Sequence, residues 1–292
     1  LPLLGAHNSI AGGLHRAVER ARSVGCDCLQ IFTKNNNQWR AKPILDAEAA
    51  LFRSTLGELA VGHPIAHNSY LINLASPDET LWRRSVEAMV VELQRAGQLG
   101  LAYVVAHPGA SLDSGEELGL KRVVAALDEI QAQTRGGEAK ILLETTAGQG
   151  SCLGHRFEHL ATILDAVKDP DRLGVCVDTC HVFAAGYPLG TLRQYRATIK
   201  KLAATVGLEK VRAFHLNDSK RELGSRVDRH EHIGKGQLGL EPFRQLLNDP
   251  RFQQVPMYLE TPKGTVDGED LDAVNLRTLR GLDEGGRRKD EG

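Results

Sequence analysis

Short runs rich in β-branched and apolar residues alternate along this chain with longer stretches whose apolar residues recur every three or four positions. Strands are predicted at 3–7 (LLGAH), 28–33 (CLQIFT), 64–68 (PIAHN), 103–108 (YVVAHP), 140–146 (KILLETT), 173–179 (LGVCVDT), 211–218 (VRAFHLND) and 256–262 (PMYLETP). Between them lie helical patterns such as LHRAVERARSVG, WRRSVEAMVVELQRAGQLG and LKRVVAALDEIQAQ, and Gly25, Gly100 and Gly207 stand where helices would stop. Eight strands alternating with about eight helices predict an α/β fold, a (β/α)8 TIM barrel whose active site lies at the C-terminal ends of the strands. A doubly wound open sheet is disfavoured, because GAHNSIAGG after the first strand lacks the GxGxxG spacing of a dinucleotide site.

Neither a linker nor an internal repeat beyond the βα alternation divides the 292 residues. A single domain over 1–282 is therefore expected, followed by a polar, Gly-rich tail at 283–292 that frays. No run of about 18 apolar residues predicts a membrane span, and LPLLGAHNSI lacks the basic-then-apolar order of a secretory leader. Five scattered cysteines suggest reduced thiols and a cytoplasmic protein. Cys176 and Cys180 are separated by three residues, but no second pair completes a structural zinc site. The net charge of −1 does not itself point to a polyanion, although the charge of one face is what such a partner meets.

Polar residues cluster at the predicted strand ends: His67, His107, Glu144, Asp178, His215 and Glu260 on six consecutive strands. One such residue is ordinarily a structural hydrogen-bonding group; six together converge on the mouth of a barrel. His181 follows Asp178 by three residues. The polar stretch SRVDRHEHIGKG at 225–236, which has no apolar period, adds Asp228 and His230. Five imidazoles and four carboxylates suit zinc, with manganese or iron also accommodated, and are too rich in imidazole for magnesium or calcium. Nine ligands with one carboxylate bridging make a trinuclear cluster, the kind of centre that clamps both the attacking and leaving oxygens in phosphoryl transfer.

The motifs LLGAHNSIAGG, AHNSYLINLA, ILLETTAGQGS, CVDTCHVFAAGY, FHLNDSK, GSRVDRHEHIGKG and YLETP, in this order, resemble the endonuclease IV family of apurinic/apyrimidinic endonucleases over essentially the whole chain. The resemblance implies a xylose-isomerase-like, zinc-dependent barrel that hydrolyses the DNA backbone 5′ to abasic sites in base excision repair. The products would be a 3′-hydroxyl and a 5′-deoxyribose phosphate, and 3′-blocking groups would also be trimmed. It further implies that His67 and His107 hold one zinc and share Glu144 with a second, which Asp178, His215 and Glu260 complete. His181, Asp228 and His230 would bind the third. Glu144 and Glu260 are the expected catalytic carboxylates, with a metal-bound hydroxide as nucleophile. His7 and His232 would stand outside the ligand set.

For double-stranded DNA, the resemblance makes Tyr70 and Leu71 residues inserted into the base stack. It likewise makes FTKNNNQW a DNA-penetrating loop, with Lys34, Asn35 and Gln38 as contacts. Asn37 stands where the family often carries Arg, which removes a cation from that loop. Arg226 and Arg229, with Lys220 and Lys235, are the expected backbone contacts around the third-metal loop. The enzyme is expected to act as a monomer without membrane attachment. A metal-dependent sugar isomerase or epimerase of the same barrel type is the alternative.

Overall fold

The computed structural model describes residues 2–283, so all of the expected tail but Asp283 lies outside the described residues. Eight parallel strands close into a barrel: β1 (Leu4–Asn8), β2 (Cys28–Phe32), β3 (Gly62–His67), β4 (Tyr103–Ala106), β5 (Lys140–Glu144), β6 (Leu173–Asp178), β7 (Val211–His215) and β8 (Met257–Leu259). They are ordered consecutively, and β8 pairs with β1 to complete the ring. The α-helices are α1 (Leu14–Ser23), α2 (Asp46–Glu58), α3 (Glu79–Leu99), α4 (Glu116–Gln133), α5 (Phe157–Ala166), α6 (Thr179–Ala184), α7 (Leu192–Thr205), α8 (Glu241–Leu247) and α9 (Leu271–Arg280). No helix among the described residues is long and apolar enough to cross a membrane. The expected barrel is thus the observed one.

Apolar side chains fill two separate spaces. The larger lies between the strands and helices, where Phe52, Met89, Phe157 and Phe243 are buried. The smaller plugs the barrel itself with Cys28, Ile65, Val105, Leu142, Cys176, Ala213 and Tyr258, one residue from each of β2–β8. The first strand contributes no side chain to this layer because Gly5 is pressed against β2: a Cβ there would lie 1.9 Å from the Cys28 carbonyl oxygen. Closure at that seam requires glycine.

All the strands except β1, which runs one residue further, stop short of the ends predicted from sequence. The run at 211–218 leaves the barrel after His215; Asp218–Ser219 then pairs antiparallel with His230–Glu231 outside it. At 173–179, Asp178 ends β6 and caps α6, accepting a hydrogen bond from the His181 amide at 2.8 Å. Apolar residues continue past these points in sequence because the loop roots are themselves buried, so hydropathy does not register where the ladder ends.

Candidate metal centre at the barrel mouth

Side chains alternate across a strand, so residues two apart share a face. Two positions beyond Gly5 and each member of the apolar plug stands a polar residue: His7, Gln30, His67, His107, Glu144, Asp178, His215 and Glu260. Every strand contributes one, from its last residues or the position just past its end. The apolar layer forms a floor and the polar layer lines the mouth above it.

These residues gather in groups whose donor atoms all lie within 4.8 Å of one another. His67, His107 and Glu144 form one group; the Nε2 atoms of His67 and His107 stand 3.2 and 3.1 Å from Glu144 Oε2. Glu144, Asp178, His215 and Glu260 form a second, with His215 Nδ1 3.0 Å from Glu144 Oε1 and 3.2 Å from Glu260 Oε2. Asp178, His181 and His230 form a third. Asp228 reaches this last group, 3.1 Å from His181 Nε2 and 3.4 Å from His230 Nε2. The nine expected residues are brought together at the mouth, with two additions: Asp178 belongs to two groups, as Glu144 does, and Cys180 lies with Asp228 and His230 in a further one.

The groups differ in exposure. Glu144, Asp178 and His215 are sealed, whereas the side chains of His107 and Asp228 are 32% and 37% exposed. A ligand therefore approaches from the side of these two residues. Burial alone would drive the His181 imidazole down, but Asp178, Asp228 and Glu144 hold it well above the ordinary histidine range. His215 is likewise raised against its burial, with Cys176, Glu260 and Glu144 opposing the desolvation. Glu144 and Glu260 are held well below the usual carboxylate range; burial would raise both, and His215 heads the groups that lower them.

The imidazole tautomers test whether this donor set fits a metal. Nδ1 of His67 meets the Asn68 carbonyl at 2.8 Å, Nδ1 of His181 meets that of Thr145 at 2.8 Å, and Nδ1 of His230 meets that of Glu260 at 3.1 Å. A carbonyl only accepts, so Nδ1 of each ring carries the proton and, in the neutral ring, Nε2 presents a lone pair. Those lone pairs face carboxylates and one another, an arrangement that favours a cation among them. The residues fit divalent zinc in chemistry and in orientation.

The loop after β7 is built to deliver Asp228 and His230. The Asp218 carboxylate accepts the amides of Ser219, Gly236 and Leu238, clamping both ends of the loop. A Cβ at Gly236 would lie 2.3 Å from the Ser219 carbonyl oxygen, which explains the second glycine of the GKG sequence. Gln149 accepts the Asp228 amide at 3.0 Å through Oε1. His232 turns away and pairs with Asn275 of α9 at 3.1 Å.

The expected DNA-contacting residues separate into two sets. Tyr70 is 60% exposed beside the Phe32 and His67 rings, Leu71 is half-buried next to it, and Asn35, Gln38 and Arg229 are exposed. Lys34 departs from expectation: its side chain is buried, with Nζ 3.3 Å from Glu92 Oε1 and donating to the Gln38 carbonyl at 2.8 Å. Its charge anchors the loop from inside instead of meeting a phosphate, because a buried ammonium requires a partner. Arg226 is also committed within the protein, through Nε to the Gly148 carbonyl and Nη2 to His155, each at 3.1 Å.

Some functional neighbours carried no signal of their own in the sequence. Asn217 donates to Asp178 Oδ2 at 2.6 Å and accepts the Glu260 amide at 2.9 Å; Thr145 supplies the carbonyl to His181 and receives the Asp178 amide through its hydroxyl. Gln30 bridges His7, His215 and Glu260. The two-residue step from the apolar plug would have found Gln30. A further cluster of possible ligands, Glu116, His155 and His159, lies outside the mouth. Its ring nitrogens already meet Cys152, Arg226, Gly154, Arg156 and Glu116, so it acts as a latch between loops.

A family model described as a xylose isomerase-like TIM barrel matches residues 18–282. Proteins named probable endonuclease 4 from Citrifermentans bemidjiense and Chloroflexus aggregans are 50% and 52% identical to this chain. The alignments cover 98% and 97% of it and 100% and 98% of those proteins, respectively. The crystal structure of endonuclease IV from Thermus thermophilus superposes with a TM-score of 0.84 at 38% identity, covering 96% of this chain and 98% of that one. A D-tagatose 3-epimerase-like protein superposes with a TM-score of 0.71 at 19% identity, a likeness of fold alone.

Proposed function

The chain belongs to the endonuclease IV family, and from that premise we propose that it is a zinc-dependent DNA-repair endonuclease acting on abasic sites in duplex DNA. The bond hydrolysed is the phosphodiester 5′ to the lesion, leaving a 3′-hydroxyl and a 5′-deoxyribose phosphate, and 3′-blocking groups are trimmed at the same site. The observation that carries this reading is the set of three donor groups at one mouth, joined through Glu144 and Asp178. The enzyme works as one domain over 1–282, as a monomer and in the cytoplasm.

His67, His107 and Glu144 would hold one zinc; Glu144, Asp178, His215 and Glu260 a second; and His181, Asp228 and His230, with Asp178 beside them, a third. Bound zinc would lower the pKa of its water to roughly 7 and neutralise charge on phosphate oxygens. The chain's own residues do the rest. Backbone carbonyls keep the Nε2 atoms of His67, His181 and His230 turned into the site. Glu144 and Glu260, held ionised, would present carboxylate oxygens beside His107 and His215 as ligands. The opening at His107 and Asp228 admits the phosphate, while exposed Tyr70 offers an aromatic face next to it for stacking where a base is missing. Asn35, Gln38 and Arg229 complete the DNA-facing rim.

The test is incubation of purified protein with an abasic duplex without added magnesium, alongside metal analysis. Incision 5′ to the lesion by zinc-containing protein, abolished by chelation and restored by zinc, is expected. Turnover of free ketoses without incision would favour the sugar-isomerase alternative.

A further inference from the structure

Gln30 is fully buried on β2, two residues beyond Cys28 of the apolar plug and level with the mouth. Its amide nitrogen lies 2.6 Å from Glu260 Oε1 and 2.9 Å from His7 Nδ1, and its amide oxygen lies 2.8 Å from His215 Nε2. The orientation of this amide follows from its partners. An ionised carboxylate only accepts hydrogen bonds, so the group 2.6 Å from Glu260 is the NH2. The oxygen then faces His215 and requires a proton on Nε2. With Nε2–H donated to Gln30, His215 Nδ1 is the nitrogen turned toward Glu144 and Glu260. His215 is therefore arranged opposite to His67, His181 and His230, whose Nδ1 atoms face backbone carbonyls.

We propose that Gln30 is a positioning residue for the second metal group: one amide sets the tautomer of His215 and the rotamer of Glu260, so that both present ligand atoms to the same cation. The assignment rests on the zinc reading above. It reaches only the group of Glu144, Asp178, His215 and Glu260, because the ligands that Gln30 hydrogen-bonds, His215 and Glu260, belong to that group alone. His7 is the remaining acceptor of the amide, and its Nε2 is buried without a hydrogen-bond partner. This fits a residue whose contribution is to receive the second amide hydrogen. Partners that orient metal ligands in this way change metal affinity about 10- to 100-fold when removed.

The test uses zinc-loaded, full-length protein and Gln30→Met, which keeps approximate volume and removes every hydrogen bond of the amide. Zinc release to a chelator is followed in time, and 15N resonances of the His215 ring are recorded in wild type. One zinc equivalent of the variant is expected to leave about 10- to 100-fold faster, the other two at the wild-type rate. Wild-type His215 is expected to carry its proton on Nε2 with Nδ1 bound to metal. Acceleration of all three equivalents would mark general loosening of the barrel and overturn the proposal; so would unchanged release. If the variant does not fold, the wild-type ring spectrum still decides, since a proton on Nδ1 excludes the bridge. Wild type that binds no zinc overturns the functional reading together with this one, whereas a variant that releases all three at the wild-type rate overturns only the role of Gln30.

Discussion

The Nε2 atoms of His181 and His230 face each other at 3.3 Å, while Nδ1 of each ring meets a backbone carbonyl. Asp228 lies against both Nε2 atoms. His230→Ala should therefore remove one of three zincs and leave two, because the groups around Glu144 do not contain it. Metal analysis by mass spectrometry reads the count directly. Full retention of three equivalents would exclude His230 as a ligand.

Glu144 stands between groups, with Oε2 toward His67 and His107 and Oε1 toward His215. Its loss strips a ligand from two cations, whereas loss of His107 strips one. Glu144→Ala should lower kcat by roughly 10³-fold or more, equivalent to several kcal/mol of lost charge stabilisation, with His107→Ala less damaging. Both are to be compared at saturating zinc; a nearly normal Glu144→Ala enzyme would contradict the shared ligand.

Tyr70 combines exposure with contact to the Phe32 and His67 rings. Tyr70→Ala should keep its zinc and its melting temperature yet bind an abasic duplex about 1–3 kcal/mol more weakly, the range of a lost base–aromatic stack. Fluorescence anisotropy with a non-cleavable abasic analogue measures this. Normal binding, or loss of the fold, would make Tyr70 a packing residue.

Lys34 and Glu92 make a buried ion pair beneath the loop at 33–39. Loss of Lys34 leaves buried Glu92 with the Thr33 hydroxyl and the nearby Arg95 charge alone, so Lys34→Met should destabilise the protein by about 1–3 kcal/mol in urea unfolding. A surface phosphate contact behaves differently: its loss lowers the salt slope of DNA binding by about one and leaves stability alone. The second pattern would return Lys34 to the DNA interface.

Zinc removal should weaken DNA binding as well as abolish incision. Glu144, Asp178, Asp228 and Glu260 make the metal-free mouth acidic, although His181 and His215 offset part of that by taking up protons. Three divalent ions reverse the sign within a cleft whose walls concentrate the field. Stripped protein should bind an abasic duplex at least ~10-fold more weakly, with a shallower salt slope than zinc-loaded protein. Circular dichroism checks that it remains folded. Equal affinities and slopes would show that the loops alone hold the DNA.

The alternation of strand and helix, the strand-end histidines and carboxylates, and the family motifs were legible along the chain, because side-chain period and backbone pairing are local properties. His67, His107, Glu144, Asp178, His215 and Glu260 stand at the last residue of their strands or one position beyond it, and that regularity exposed them. Barrel closure decided the remainder. Gln30 meets Glu260 across 230 positions, and Lys34 meets Glu92 because loop and helix pack against each other; neither pairing has a local period. The direction of a side chain follows from which partners closure brings within hydrogen-bond reach. Gln30 therefore turned out to be hydrogen-bonded to His7, His215 and Glu260 at the barrel mouth, while the buried charge of Lys34 turned out to be part of the core.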